Sequence, residues 1–245
     1  MRFSYNAVWQ DTVALMRGHL PLVIAIAGVF LFLPDLLVAH FLPPPEKAGS
    51  VDAMITAMSD YLSGNWHWLL IDSLVNMLGT IAILSLIFDR ERPTVGGAIA
   101  GGIQLLPSYF VAFLLSGLIL GTAFMALIVP FLYFYGRLVP LAPVVVAERR
   151  RNPIDALRRC FEVTRGNGWA LFGLILIVFV AFTVVTLALA VVFGSLFVLL
   201  LGRDLGGFLL LILTTALSAA FHTVLILLGA AAYRQLSGAV TEPIL

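Results

Sequence analysis

The residues in this chain with chemical potential are few, and each interrupts an apolar run. Arg137 lies in FYGRLVPLAP, with no other charge nearer than Glu148; Asp35 lies in FLFLPDLLVAH and Asp72 in WHWLLIDSLVNM. Counted at about 1.5 Å per residue, all three stand roughly 9 to 10 Å from the same end of their runs. A charge at the centre of a membrane helix costs about 2.5 to 3.5 kcal/mol on insertion scales, so a partner is required. Guanidinium and carboxylate satisfy each other's hydrogen bonds. The spacing therefore predicts that Arg137 pairs with Asp72, with Asp35 nearby. Asn76 follows Asp72 by four residues and Thr80 follows Asn76 by four, which draws one polar stripe along an inward helix face. Two roles fit it: helix-to-helix glue, or a polar cavity that receives a headgroup or an ion.

His222, in LSAAFHTVLIL, lies deeper in another run, far along the chain from any carboxylate. It suits a proton relay or a neutral hydrogen bond to a neighbouring helix. His19, His40 and His67 share no metal-ligand spacing, and Cys160 is the sole cysteine, so neither a disulfide within the chain nor a multi-cysteine metal set is expected. There is no HExxH, GxSxG or phosphate loop, and GGAIAGG lacks the lysine a nucleotide site needs. Asp35 and Asp72 are the only carboxylate pair suited to acid–base work, and Arg137 beside them would hold both ionised. The expectation is a non-enzymatic protein without a cofactor.

The elements that must position these groups follow from composition. Of 245 residues 61% are hydrophobic and 11% charged, against about 25% charged in an ordinary soluble domain. With about 20 apolar residues needed per crossing, six spans emerge, near 20–42, 66–88, 107–128, 131–147, 169–193 and 208–233. The third and fourth form one apolar block, divided near Pro130. No polar interval can close a separate core, so residues 1–245 form one integral membrane domain, all-α. The first span is too long for a signal peptide and lacks a small-x-small cleavage site. Eleven arginines (Arg2, Arg17, Arg90, Arg92, Arg149, Arg150, Arg151, Arg158, Arg159, Arg165 and Arg234) fall on the cytoplasmic side if both termini are inside. Only Lys47 and Arg203 fall opposite, as positive-inside retention requires. Net charge is +1, which offers nothing to nucleic acid.

Segments 5–19, 93–106 and 153–168 each precede an odd-numbered span. The first places Tyr5, Val8, Trp9, Val13 and Met16 on one face, the third Ile154, Leu157, Phe161 and Thr164; the second is glycine-rich. The pattern predicts three copies of a unit made of a surface helix and a membrane hairpin, a repetition common in transporters. A further amphipathic piece, 51–62, carries Val51, Met54, Ile55, Met58 and Leu62 on one face and is expected on the outer surface. Arg149, Arg150, Arg151, Arg158 and Arg159, in ERRRNPIDALRR, suit anionic lipid headgroups at about 1 kcal/mol each, or simply set topology. Pro34, Pro130, Pro140 and Pro143 interrupt helices close to Asp35 and Arg137.

Through FSYNAVWQDTVALMRGH, VPFLYFYGRLVPLAPVVV and NPIDALRRCFEVTRGNGW, spread over nearly all of residues 3–236, the chain resembles the YciC-like family of bacterial inner-membrane proteins. It is similar in pattern to the membrane domain attached to some glycerophosphoryl diester phosphodiesterases, whose catalytic domain has no counterpart here. The resemblance implies six spans, both termini inside and no settled function. The expected role is binding or moving a lipid-like or amphipathic molecule, anionic if Arg137 holds it, with Asp72, Asp35 and Asn76 around it. The alternative is a scaffold that recruits a protein partner through its arginine-rich helices. Membrane lipids are partners in either case, and the oligomeric state stays open.

Overall fold

The computed structural model describes residues 3–45, 49–89 and 95–238. Arg2, Lys47, Arg90 and Arg92, used above for orientation, lie outside them. The described residues are helical throughout: α1 Tyr5–Ala27, a π-helical turn Gly28–Phe32, α2 Leu33–Phe41, α3 Val51–Phe88, α4 Val95–Ala126, α5 Ile128–Leu138, α6 Leu141–Ala147, α7 Pro153–Val163 and α8 Gly168–Ser237. Five stretches are long and apolar enough to cross a membrane: Tyr5–Phe41, Val51–Phe88, Gly101–Ala126, Ile128–Ala147 and Gly168–Ser237. Large apolar side chains such as Phe41, Met125 and Leu199 are mostly exposed, as on a lipid-facing surface.

Helix boundaries follow local chemistry. Ser4 caps α1 by accepting from the Ala7 N–H. The helix kinks at His19, two residues before Pro21, and the Leu15 carbonyl accepts from His19 Nδ1 at 3.2 Å. Proline cannot donate to the turn before it and crowds the carbonyl four residues back. Pro34 therefore widens the preceding turn to π geometry rather than ending the helix. The apolar block divides at Leu127, whose φ is −168° and ψ 151°, three residues before Pro130, which sits in the first turn of α5. A second break, at Val139 and Pro140, separates α5 from α6.

Two expectations are corrected. Residues 51–62 are not a separate surface helix but the first turns of α3, which runs unbroken for 38 residues. Ser63 and Asn65 do not end it, because their side chains bond to the Asp60 and Tyr61 carbonyls of the same helix. Segment 95–106 likewise belongs to α4, with Pro107 inside it. Of the three proposed surface helices, α7 alone is a free-standing element.

α8 has 70 residues, far longer than any bilayer crossing, but Gly202 at φ 80° and ψ 176° folds it back. A left-handed φ is cheap only for glycine. The arms 168–201 and 203–237 then lie side by side, with Phe182 on Phe221 at 5.0 Å and Gly206 against the Phe197 backbone.

The core gathers at one end, built from Ile81–Leu84 of α3, Val144–Val146 of α6 and Leu227–Ala232 of α8, with Val8, Leu15 and Val23 of α1. α1 is held there by Val8, Thr12 and Leu15, while Tyr5 and Trp9 of its expected apolar face stay exposed. Arg234 pairs with Asp11 at 3.2 Å. This is the arginine-rich end of the bundle.

Candidate functional site

Arg137 closes α5 and reaches α7. Its Nη2 donates to the Phe161 carbonyl and its Nε to Thr164 Oγ1 at 3.3 Å, while the guanidinium lies over the Phe161 ring at 4.7 Å and Tyr133 at 5.7 Å. The last carbonyls of a helix have no partner within it and carry the negative end of its dipole. Thr164 is the C-cap of α7, so Arg137 satisfies and neutralises that terminus. The expected pair with Asp72 is not made, and no ion pair among the described residues joins the two. Counting along an unbroken span misplaced Arg137. The break at Pro140 and the return of α7 against α5 supply it with a different partner.

Cys160 packs beneath, fully buried, with its thiol donating to the Arg137 carbonyl at 3.2 Å. Burial pushes the thiol up to about 12, against a smaller opposing pull from Arg137. Thiolate is the reactive form, so at pH 8 a maleimide should label native Cys160 slower than the unfolded chain by on the order of a thousandfold. Equal rates would show that α7 does not pack as described.

The basic cluster surrounds a carboxylate. Glu148 accepts from Arg150 Nε at 2.7 Å, Arg159 Nε at 2.9 Å and the Tyr233 hydroxyl at 2.9 Å. Burial pushes Glu148 up, but the hydrogen bonds from Arg159, Arg150 and Tyr233 outweigh it and hold the carboxyl below its ordinary value; the same bond to Glu148 raises Arg159. Arg149 bonds Asp89 at 2.9 Å, Arg151 bonds Gln104 at 3.3 Å and Arg158 reaches Glu162 at 3.4 Å. Of the five arginines assigned to anionic lipid, Arg150 and Arg159 are therefore turned onto the protein's own carboxylate. Arg158, with 81% of its side chain exposed, faces outward. Arg149 sits at φ 47°, just past α6, where its N–H bonds the Val146 carbonyl and that of Arg150 the Val145 carbonyl. Glycine usually fills this helix-ending position.

The remaining polar groups meet toward the opposite end. Asn76 Nδ2 donates to Asp35 Oδ1 at 3.0 Å and to the Asp72 carbonyl at 3.1 Å, and Thr80 Oγ1 donates to the Asn76 carbonyl at 3.0 Å. Asp72 Oδ1 and Asn76 Oδ1 are shielded from solvent without a hydrogen-bond partner among the described residues. Close approach of two helices makes this possible: a Cβ on Gly79 would meet the Phe30 Cβ at 2.5 Å, so glycine lets α3 press on the π turn that presents Asp35. His222, far along the chain from any carboxylate, comes within electrostatic reach of Asp35.

Beside this polar cluster, α2 and α3 form a groove of about 540 Å³, walled by Leu33, Leu37, Val38, Phe41, Trp68, Ile71 and Val75, with Asp72 in its lining. Tyr61 holds its far end together by donating to the Leu42 carbonyl at 2.9 Å. Sequence reasoning had Asp35, Asp72 and Asn76 together but not the groove, nor Glu148 as a hub. Glu148 beside three consecutive arginines was the available signal.

A model for a domain of unknown function, DUF7847, matches residues 48–236. The chain belongs to the DUF7847 family. The DUF7847 match begins just before α3, so it takes in the α3 wall of the groove with Asp72, the neighbouring Asn76, and the basic cluster around Glu148. Asp35 and α2 lie outside it. No curated protein and no solved structure matches the chain.

Proposed function

We propose that this chain is a polytopic inner-membrane protein that binds an amphipathic, lipid-like molecule between α2 and α3, in a non-enzymatic role. One observation carries the reading: an apolar groove of 540 Å³ with a single carboxylate, Asp72, in its lining, the combination of a greasy wall and a fixed polar group that small-molecule sites share. Groove walls such as Phe41, Trp68 and Ile71 are exposed on a lipid-facing surface, so entry can be lateral from the bilayer. Counting the two arms of α8 separately makes six crossings, with both termini on the cytoplasmic side of a bacterial membrane, in accord with positive-inside retention and with YciC-like kinship. The repeat of surface helix and hairpin is retained in its weaker form, with α1 and α7 as its amphipathic members.

A scaffold role is favoured by one specific feature, the outward face of α7, where Ile154 and Arg158 are largely exposed. The two readings separate in native mass spectrometry of protein released gently from membranes. A lipid-sized adduct should accompany the wild type and Arg158→Gln, and disappear in Val75→Trp, whose indole fills the groove. No adduct, or one indifferent to Val75→Trp, would exclude the groove and favour recruitment through α7.

A further inference from the structure

The one charged group in the lining of the groove specifies the charge of its occupant. An anionic headgroup would need donors, yet the one charged side chain among the lining residues is Asp72, and Asp35 stands behind it on the shared amide of Asn76. Arg137, which the sequence assigned to an anion, is committed to the end of α7. No lining residue carries a positive charge to meet that carboxylate. What completes the groove is therefore a donor, and a cationic one. Among the described residues no three His, Cys, Asp or Glu side chains stand close enough to hold a metal ion, so the apolar wall and its single carboxylate call for an organic cation with a hydrocarbon body.

We propose that the groove takes an amphipathic molecule whose polar end is a protonated amine, with Asp72 as its counter-ion and its alkyl body along Leu37, Val38, Trp68 and Ile71. This rests on the groove reading above and adds the class of ligand. An ammonium has three donors and no acceptor, which matches a carboxylate that no lining residue neutralises. A carboxylate in a low-dielectric wall attracts a cation more strongly than it would in water. Asn76 holds Asp35 in place, and the aspartate beyond it reinforces the negative field without touching the ligand.

Trp68 in the wall reports occupancy. In full-length protein carrying Trp9→Phe, Trp66→Phe and Trp169→Phe, held in nanodiscs of neutral phosphatidylcholine at pH 7, bromine-tipped dodecylamine, dodecanol and dodecanoate are titrated and quenching of Trp68 is followed. The amine should bind at least about tenfold more tightly than the alcohol, and the carboxylate most weakly. Asp72→Asn should erase the preference and Asp72→Glu retain it. Equal binding of all three, or preference for dodecanoate, overturns the amine proposal and leaves the groove reading standing. Failure of every chain to quench Trp68 overturns the groove reading as well. The ligand comparison is made on the parent protein, so poor folding of an Asp72 variant would not rescue the proposal.

Discussion

Replacing Gly136 by alanine should destabilise the protein by about 3 kcal/mol, and by leucine should prevent folding. A Cβ there overlaps the Gly168 carbonyl oxygen and comes within 2.8 Å of the Phe172 nitrogen. Both are backbone atoms in the first turns of α8, and neither can rotate aside. Gly168 faces back with equal tightness, since its own Cβ would meet Tyr133 at 2.6 Å and Arg137 Cγ at 2.9 Å. Small residues let helix backbones close up inside a membrane, where burial against lipid offers little extra drive. α5 would have to retreat from α8 and draw Arg137 off the Phe161 carbonyl and Thr164. The check is a thermal unfolding series in mild detergent combined with maleimide labelling of Cys160, which should quicken as the Arg137 carbonyl moves away. Gly117, with nothing within 4 Å of a built Cβ, is the control, and Gly117→Ala should be neutral or slightly stabilising. Wild-type stability in Gly136→Leu would refute the described crossing of α5 and α8.

Glu148→Ala should cost about 2 to 4 kcal/mol. The carboxylate side chain is 19% exposed, while Arg150 and Arg159 are about one third exposed. Removing the shared acceptor leaves two guanidinium donors and the Tyr233 hydroxyl without it, a loss of charged hydrogen bonds softened by the water that reaches the arginines. The three donors come from the loop before α7, from α7 and from the second arm of α8, so a single carboxylate ties α6, α7 and α8 together. The pH dependence follows from the direction of the shift. The folded carboxyl lies below its ordinary value of 4.5, so its contribution is complete above pH 4.5 and is lost as pH falls through the folded value. Midpoints measured from pH 7 downward should therefore fall more steeply for the wild type than for Glu148→Gln below pH 4.5. Parallel curves would show that Glu148 is not the hub.

Several features were legible without coordinates, and the reason is local. Runs of apolar residues near bilayer length, the glycines and prolines between them, and the amphipathic spacing of Ile154, Leu157 and Phe161 report on the helix that contains them. The grouping of Asp35, Asp72 and Asn76 was legible too, because the loop after α2 is short and α2 and α3 must run antiparallel, which makes depth along one helix a measure of depth along the next. Pro130 marked the division of the long apolar block within three residues, although the extended residue is Leu127.

Arg137 was misjudged, and the neighbour of His222 was not legible, for one shared reason, that their partners depend on how helices pack and not on how far along a span they lie. The backbone break at Val139 and Pro140 and the glycine contact of α5 with α8 bring Arg137 to the end of α7. The return of α8 at Gly202 and its packing on α2 set His222 near Asp35. The groove is likewise a product of tertiary structure, since Leu33, Leu37 and Phe41 are unremarkable in an apolar run until α3 diverges from them above Asp72. Helix content and apolar length are summed along the chain, and so sequence alone determined them. The ligand-sized space and the partner of each buried charge arise between helices, and only the tertiary structure decided those.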